Sequence, residues 1–157
     1  MPAGPSEVMV VADDNTDADF VAADLLSQAE HGKDSQVIVV AESKAFADKV
    51  MTAVNEQASR LPRGEFIASS LAQSAAIIID NKADALAVIN QYAPEHLIMQ
   101  VENADSWIAD IKHAGSVFVG AYTPESLGDY ASGTNHVLPT YGYATVSYTH
   151  LTLPTKA

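Results

Sequence analysis

Glu7-Val8-Met9-Val10-Val11-Ala12 is a short apolar run, rich in β-branched residues, followed at once by the cap-type residues Asp13 to Thr16. A continuous run of this kind reads as a strand buried on both faces, because a strand with one wet face alternates apolar and polar residues. Beyond the cap-type residues, Phe20, Val21, Ala23, Leu25 and Leu26 recur at helical spacing up to Ala29. A buried strand feeding a helix is half of a β-α-β unit, and the other half follows in Gln36-Val37-Ile38-Val39-Val40-Ala41, a second continuous apolar strand.

Outward from this unit the alternation continues. Upstream, Pro2, Gly4 and Pro5 make Met1 to Ser6 a turn. Downstream, Ser43 caps a helix to about Ala58 that carries Phe46, Val50 and Val54 inward. Pro62 to Ala68 reads as a break and Ser69 to Ser74 as a short helix or turn, before a third buried strand at Ala75 to Ile79. Asn81 caps a helix through about Tyr92, with Ala85, Leu86, Val88 and Ile89 as its inner face. Pro94 pushes Ala93 away from helical dihedrals and closes that helix. Leu97 to Val101 is a fourth strand, Asn103 caps a short helix holding Trp107, Ile108 and Ile111, and Ser116 to Val119 is a fifth strand. Gly120 to Gly142 is loop in texture. Five strands alternating with four helices predict the α/β class. The sheet is mainly parallel and flanked by helices, an incomplete Rossmann-like layer.

With 157 residues and 48% hydrophobic composition, one globular domain is expected. The formal charge of −12, from 20 acidic against 8 basic residues, disfavours nucleic acid and anionic membrane surfaces as partners. Cysteine is absent, which excludes disulfides, thiolate zinc sites and thiol nucleophiles. With no long apolar span and no charged-then-apolar leader, the expected location is cytoplasmic.

Parallel open sheets place ligands at the carboxyl ends of their strands. Ala12-Asp13-Asp14-Asn15-Thr16 stands where a Gly-x-Gly-x-x-Gly cradle would be, and its acidic groups would repel a pyrophosphate. Gln28 and His31, three apart, share one face of a helix end that Gly32 is expected to stop in a left-handed cap. Alone, the pair is equally a capping and solvation feature. Pooled with Glu95, His96, Asp129 and His136, it offers amide, imidazole and carboxylate donors that suit zinc, although each histidine also reads as a hydrogen-bonded loop or cap residue. Glu95 and His96 could serve as base and acid. Adjacent residues of an extended segment point opposite ways, however, unless the Pro94 turn redirects one of them. Gly128 to His136, polar and poor in apolar anchors, needs a reason to be ordered, and binding a ligand is one.

At these residues the chain resembles histidinol dehydrogenase. The similar segments are Pro2 to Glu7, Asp24-Leu25-Leu26-Ser27-Gln28-Ala29-Glu30-His31-Gly32, Tyr92-Ala93-Pro94-Glu95-His96-Leu97, Ala114 to Gly120 and Pro124 to Gly142, together spanning about residues 1–144. The resemblance implies a zinc- and NAD-dependent enzyme that oxidises L-histidinol through an aldehyde to L-histidine, working as a homodimer. On the matching positions, Gln28, His31 and Asp129 would be zinc ligands. Glu95 would activate the water that adds to the aldehyde, and His96 would move protons on the substrate oxygen. Ser6, Gln28, His31, His96 and Asp129 would touch substrate. No cofactor-binding residue is carried over.

The family's members are longer, with a cofactor-binding domain ahead of the position of Met1. A C-terminal arm after Ala144 brings one further zinc-binding histidine and a substrate-binding glutamate. Residues 1–144 are therefore expected to be the Rossmann-like portion, and 145–157 an unrelated or disordered tail of foreign texture. The expected behaviour is a truncated, inactive piece. The rival class is a non-catalytic α/β binding module that keeps the scaffold.

Overall fold

A computed structural model describes residues 5–120 and the backbone of a strand at residues 151–154. In chain order the elements are β1 (Glu7–Ala12), α1 (Ala18–Ala29), β2 (Gln36–Ala41), α2 (Lys44–Ala58), α3 (Gly64–Leu71), β3 (Ala75–Ile78), α4 (Lys82–Tyr92), β4 (His96–Gln100), β5 (Ser116–Val119) and β6 (Leu151–Pro154). They form one sheet of order β3-β2-β1-β4-β5-β6, every pairing parallel. The chain winds outward from β1 to β3 and then returns to lay β4 against the other side of β1, the doubly wound arrangement.

The expected α/β class is what the structure contains, and its cause is visible in β1. All six of its residues are buried. Val8, Val10 and Ala12 enter the core built with α1 and α2, while Met9 and Val11 enter the core that includes Ala85 and Ile89 of α4. The period of two along a strand divides one apolar run between two cores, and helices on both faces complete them. Ser43 and Asn81 cap α2 and α4 as expected, accepting from the N–H of Phe46 at 3.1 Å and of Asp84 at 2.9 Å.

Several local expectations are corrected. The cap of α1 is Asp17, which accepts from Asp19 N–H at 2.9 Å. Asp13 instead staples its own turn, its Oδ1 accepting from Asn15 N–H and the Thr16 hydroxyl. Phe20 and Ala23 face out, and the buried side of α1 includes two polar residues, Asp24 and Gln28. The stretch expected to be a break holds the start of α3. Pro62 lies ahead of the first helical residue, where its missing N–H costs nothing, and Ile67 and Ser70 anchor the helix inward. The third strand is a sheet edge rather than a buried strand, with Ala75, Ala76 and Ile78 exposed. The short helix after Asn103 is a pair of 3₁₀ turns, Ala104–Ser106 and Ile108–Asp110. Among the described residues only Ala93, Asn103 and Gly120 have positive φ, so Gly32 is not the left-handed cap of α1.

Asp24 is 8% exposed and accepts from Gln100 Nε2 at 2.6 Å, tying α1 to the end of β4. Burial pushes its carboxyl up to about 7 against the opposing effect of the Gln100 hydrogen bond. The folded chain holds this proton over a range in which the unfolded chain, at 3.8, has released it. The stability it contributes is full below that lower value and is lost as pH rises through the upper one. Asp24→Asn should therefore flatten the fall in stability between pH ~4 and ~8 by up to a few kcal/mol, read as melting midpoint against pH for both proteins.

Candidate active site at the amino edge of the sheet

In a parallel sheet each crossover helix runs back against the strands, so the carboxyl end of α1 returns to the edge where the strands begin. Ser6 precedes β1, Glu95 precedes β4, His96 opens β4, and Gln28 and His31 stand at the end of α1. The sequence-predicted residues that fall within the described chain therefore gather at the amino edge, not at the carboxyl ends. The carboxyl edge does hold a crevice of about 270 Å³, lined by Asp13, Glu42, Asp80, Glu102, Lys82 and Trp107 among others. Two of its carboxylates serve loops: Asp13 Oδ2 accepts from Glu102 N–H, and Glu42 Oε2 accepts from Asp14 N–H at 3.0 Å.

Glu95 and His96, adjacent in sequence, converge. Glu95 is 7% exposed and its Oε2 accepts from the N–H of Glu7 at 2.9 Å. His96 Nδ1 lies 3.3 Å from the Glu7 carbonyl and 3.8 Å from Glu95 Oε2. A carbonyl only accepts, so the contact with Glu7 O places a proton on Nδ1, and in the neutral imidazole the lone pair is then on Nε2. The Pro94 turn is what redirects the pair. Ala93, buried and left-handed at φ 55° and ψ 61°, ends α4, and Glu95 sits in the bend before the extended backbone of β4. A non-glycine residue there costs ~1–2 kcal/mol, which the surrounding packing holds in place.

The loop carrying Glu95 is fixed from β5 as well. Gly115 N–H donates to Pro94 O at 2.9 Å and Ser116 N–H to Glu95 O at 2.8 Å. A Cβ on Gly115 would stand 2.5 Å from the Glu95 carbonyl oxygen, so the close approach needs glycine. Beside Glu7, burial and then the charge of Glu7 raise the Tyr92 hydroxyl above the ordinary tyrosine range, and it donates to Gln36 Oε1 at 2.5 Å.

Gln28 and His31 part company in burial. Gln28 is 0% exposed, with neither amide atom hydrogen-bonded among the described residues. His31 is exposed in the turn beyond α1, its N–H donating to Gln28 O at 3.1 Å. Ser6 is half-buried and its carbonyl accepts from Gln36 N–H at 3.2 Å. Asp129 and His136 lie outside the described residues. Among the described residues no three His, Cys, Asp or Glu side chains cluster as a metal site. Sequence reasoning missed Glu7, Gly115 and the Asp24–Gln100 tie. A lone polar residue heading an apolar strand could have flagged Glu7, but its backbone role needed the register.

A doubly wound parallel sheet with a buried carboxylate–imidazole pair at one edge is the frame of an α/β enzyme. The chain belongs to the histidinol dehydrogenase family, an oxidoreductase family whose model matches residues 1–152. It is 57% identical over 147 residues to a histidinol dehydrogenase of Mannheimia succiniciproducens, covering 94% of this chain and 34% of that protein. It is 58% identical over 146 residues to a histidine biosynthesis trifunctional protein of Kluyveromyces lactis, covering 92% of this chain and 18% of that one. The crystal structure of histidinol dehydrogenase from Elizabethkingia anophelis superposes with a TM-score of 0.89 at 51% identity, over 92% of this chain and 33% of that chain. The chain thus spans about a third of the length of the histidinol dehydrogenases it matches.

Gly115→Ala should cost ~1–3 kcal/mol in chemical denaturation, because the Glu95 carbonyl has to move. Gly64→Ala is the control: nothing lies within 4 Å of its added Cβ. At the start of α3 it should be neutral or stabilising by up to ~1 kcal/mol. Equal midpoints for the two variants would mean that the Gly115 approach does not constrain the Glu95 loop.

Proposed function

We propose that this chain supplies the acid/base pair and part of the zinc and substrate site for the oxidation of L-histidinol through its aldehyde to L-histidine. The observation that carries this reading is the convergence of Glu95 and His96, 3.8 Å apart, on the backbone N–H and carbonyl of one residue, Glu7. With Nδ1 engaged on β1, His96 Nε2 takes the proton that the substrate alcohol gives up as it becomes a carbonyl. Glu95 then takes a proton from the water that adds to the aldehyde, and His96 exchanges protons with the hydrate oxygen. Glu7 N–H, donating at 2.9 Å, fixes the orientation of the Glu95 carboxylate for this step.

Gln28 fits a metal donor: its buried amide has no other partner among the described residues, and a ligand at its carbonyl oxygen would satisfy it. Gln28, His31 and Asp129 would hold zinc, and Ser6, Gln28, His31, His96 and Asp129 would contact substrate. Bound zinc supplies a positive centre that orients the substrate amine and imidazole. NAD does not fit the first loop of this sheet, where Asp13 and its neighbours stand in place of a glycine cradle. No residue of this chain is assigned to it. Homodimerisation, a cytoplasmic location and a domain boundary near residue 144 complete the proposal. Among the described residues no helix is long and apolar enough to cross a membrane.

The chain alone should produce no NADH from L-histidinol with zinc and NAD present, and steady turnover near a full-length relative's rate would overturn this. In calorimetric titration zinc should bind weakly. His31→Ala and Gln28→Ala should each weaken it roughly tenfold or more, which is ~1.4 kcal/mol. Zinc affinity indifferent to both substitutions would remove the metal assignment, and L-histidinol binding that needs no zinc would favour the non-catalytic binding module.

A further inference from the structure

β5 opens at the amino edge with Ser116, whose backbone N–H holds the Glu95 carbonyl. It is 1% exposed, and its Oγ has no hydrogen-bond partner among the described residues. Its backbone pairs in register with His96. Neighbouring parallel strands lie about 4.8 Å apart and register partners project to the same face, so the hydroxyl stands beside the imidazole. That face is the one α1 covers. Phe118, two residues on, belongs to the core that contains Leu25 and Leu26, and its ring centroid is 6.1 Å from that of His96. Gln28, with both amide atoms lacking a partner among the described residues, is on α1. A buried hydroxyl with no partner destabilises the fold, and alanine would fill the same place without that cost.

We propose that Ser116 is a further substrate-binding residue of this site, its Oγ hydrogen-bonding the hydroxymethyl oxygen on which His96 acts. The inference rests on the histidinol reading. Gln28 on α1 and His31 in the turn just beyond it take the chelating end of the substrate, whereas Ser116 stands on the strand side with His96, at the reacting end. A hydroxyl both donates and accepts. It can donate to the alcohol oxygen, whose own proton goes to His96 Nε2, and to the carbonyl that replaces it, following the oxygen through the oxidation without a change of charge.

The test is calorimetric titration of the zinc-supplemented chain, wild type and Ser116→Ala, with L-histidinol and with histamine. Histamine keeps the imidazole and amine and lacks the hydroxymethyl group. The variant should bind L-histidinol about 3–10-fold more weakly, bind histamine and zinc as the wild type does, and melt no lower than the wild type. Unchanged L-histidinol affinity, an equal loss for both ligands, or a lower melting midpoint overturns the inference while leaving the histidinol reading in place. Failure of the wild-type chain to bind either ligand with zinc overturns that reading, and Ser116's role with it.

Discussion

A strand buried on both faces has to satisfy its peptide groups inside the protein, and at its first residue the ladder no longer does so alone. β1 is such a strand, and Glu7 is where the problem falls. Its N–H is met by the Glu95 carboxylate and its carbonyl by His96 Nδ1. A backbone requirement thereby orients a buried carboxylate and imidazole, the pair proposed as acid and base. The imidazole orientation, the seat of the carboxylate and the convergence of two adjacent side chains all follow from the backbone of one residue held by the sheet. Around it, the left-handed Ala93 and the Cβ-free Gly115 keep the 94–96 segment where that grip is possible.

The same edge accumulates polar groups that the fold itself does not need. Gln28 and Ser116 carry atoms with no partner among the described residues, each costing ~1–3 kcal/mol by usual measures. Asp24, by contrast, is buried but tied to Gln100 at 2.6 Å. Stability given up at one end of α1 is recovered along its apolar side, where Val21, Leu25 and Leu26 pack into the core.

The strands were legible because burial on both faces writes itself as an unbroken apolar run. β1, β2 and β5 stand where those runs stand, and Ser43 and Asn81 cap the helices that follow their strands. Strand order is not written that way. An edge strand rich in alanine and isoleucine looks like a central one, so the exposure of β3 was hidden. So was the start of α3 behind Pro62. Gln28 and His31 read as a pair on one helix face, but nothing in a spacing of three distinguishes a fully buried amide from an exposed imidazole. Their roles came from resemblance, and the Glu7 grip came only with the register between β1 and β4.

The general rule for open parallel sheets points to the carboxyl edge, where strand order reverses between β1 and β4. Both edges of this sheet are polar, and the difference between them is what remains unspent. At the carboxyl edge Asp13 and Glu42 accept from loop N–H groups and the Thr16 hydroxyl, which shapes the turns, and Gln100, whose Oε1 has no partner among the described residues, is already held through its Nε2 by Asp24. At the amino edge the amide of Gln28 and the hydroxyl of Ser116 are buried with capacity left over. A ligand gains most where it satisfies groups that the fold has left without partners, because the cost of their desolvation has already been met on folding. That asymmetry, rather than the topology, makes the amino edge the candidate site of this chain.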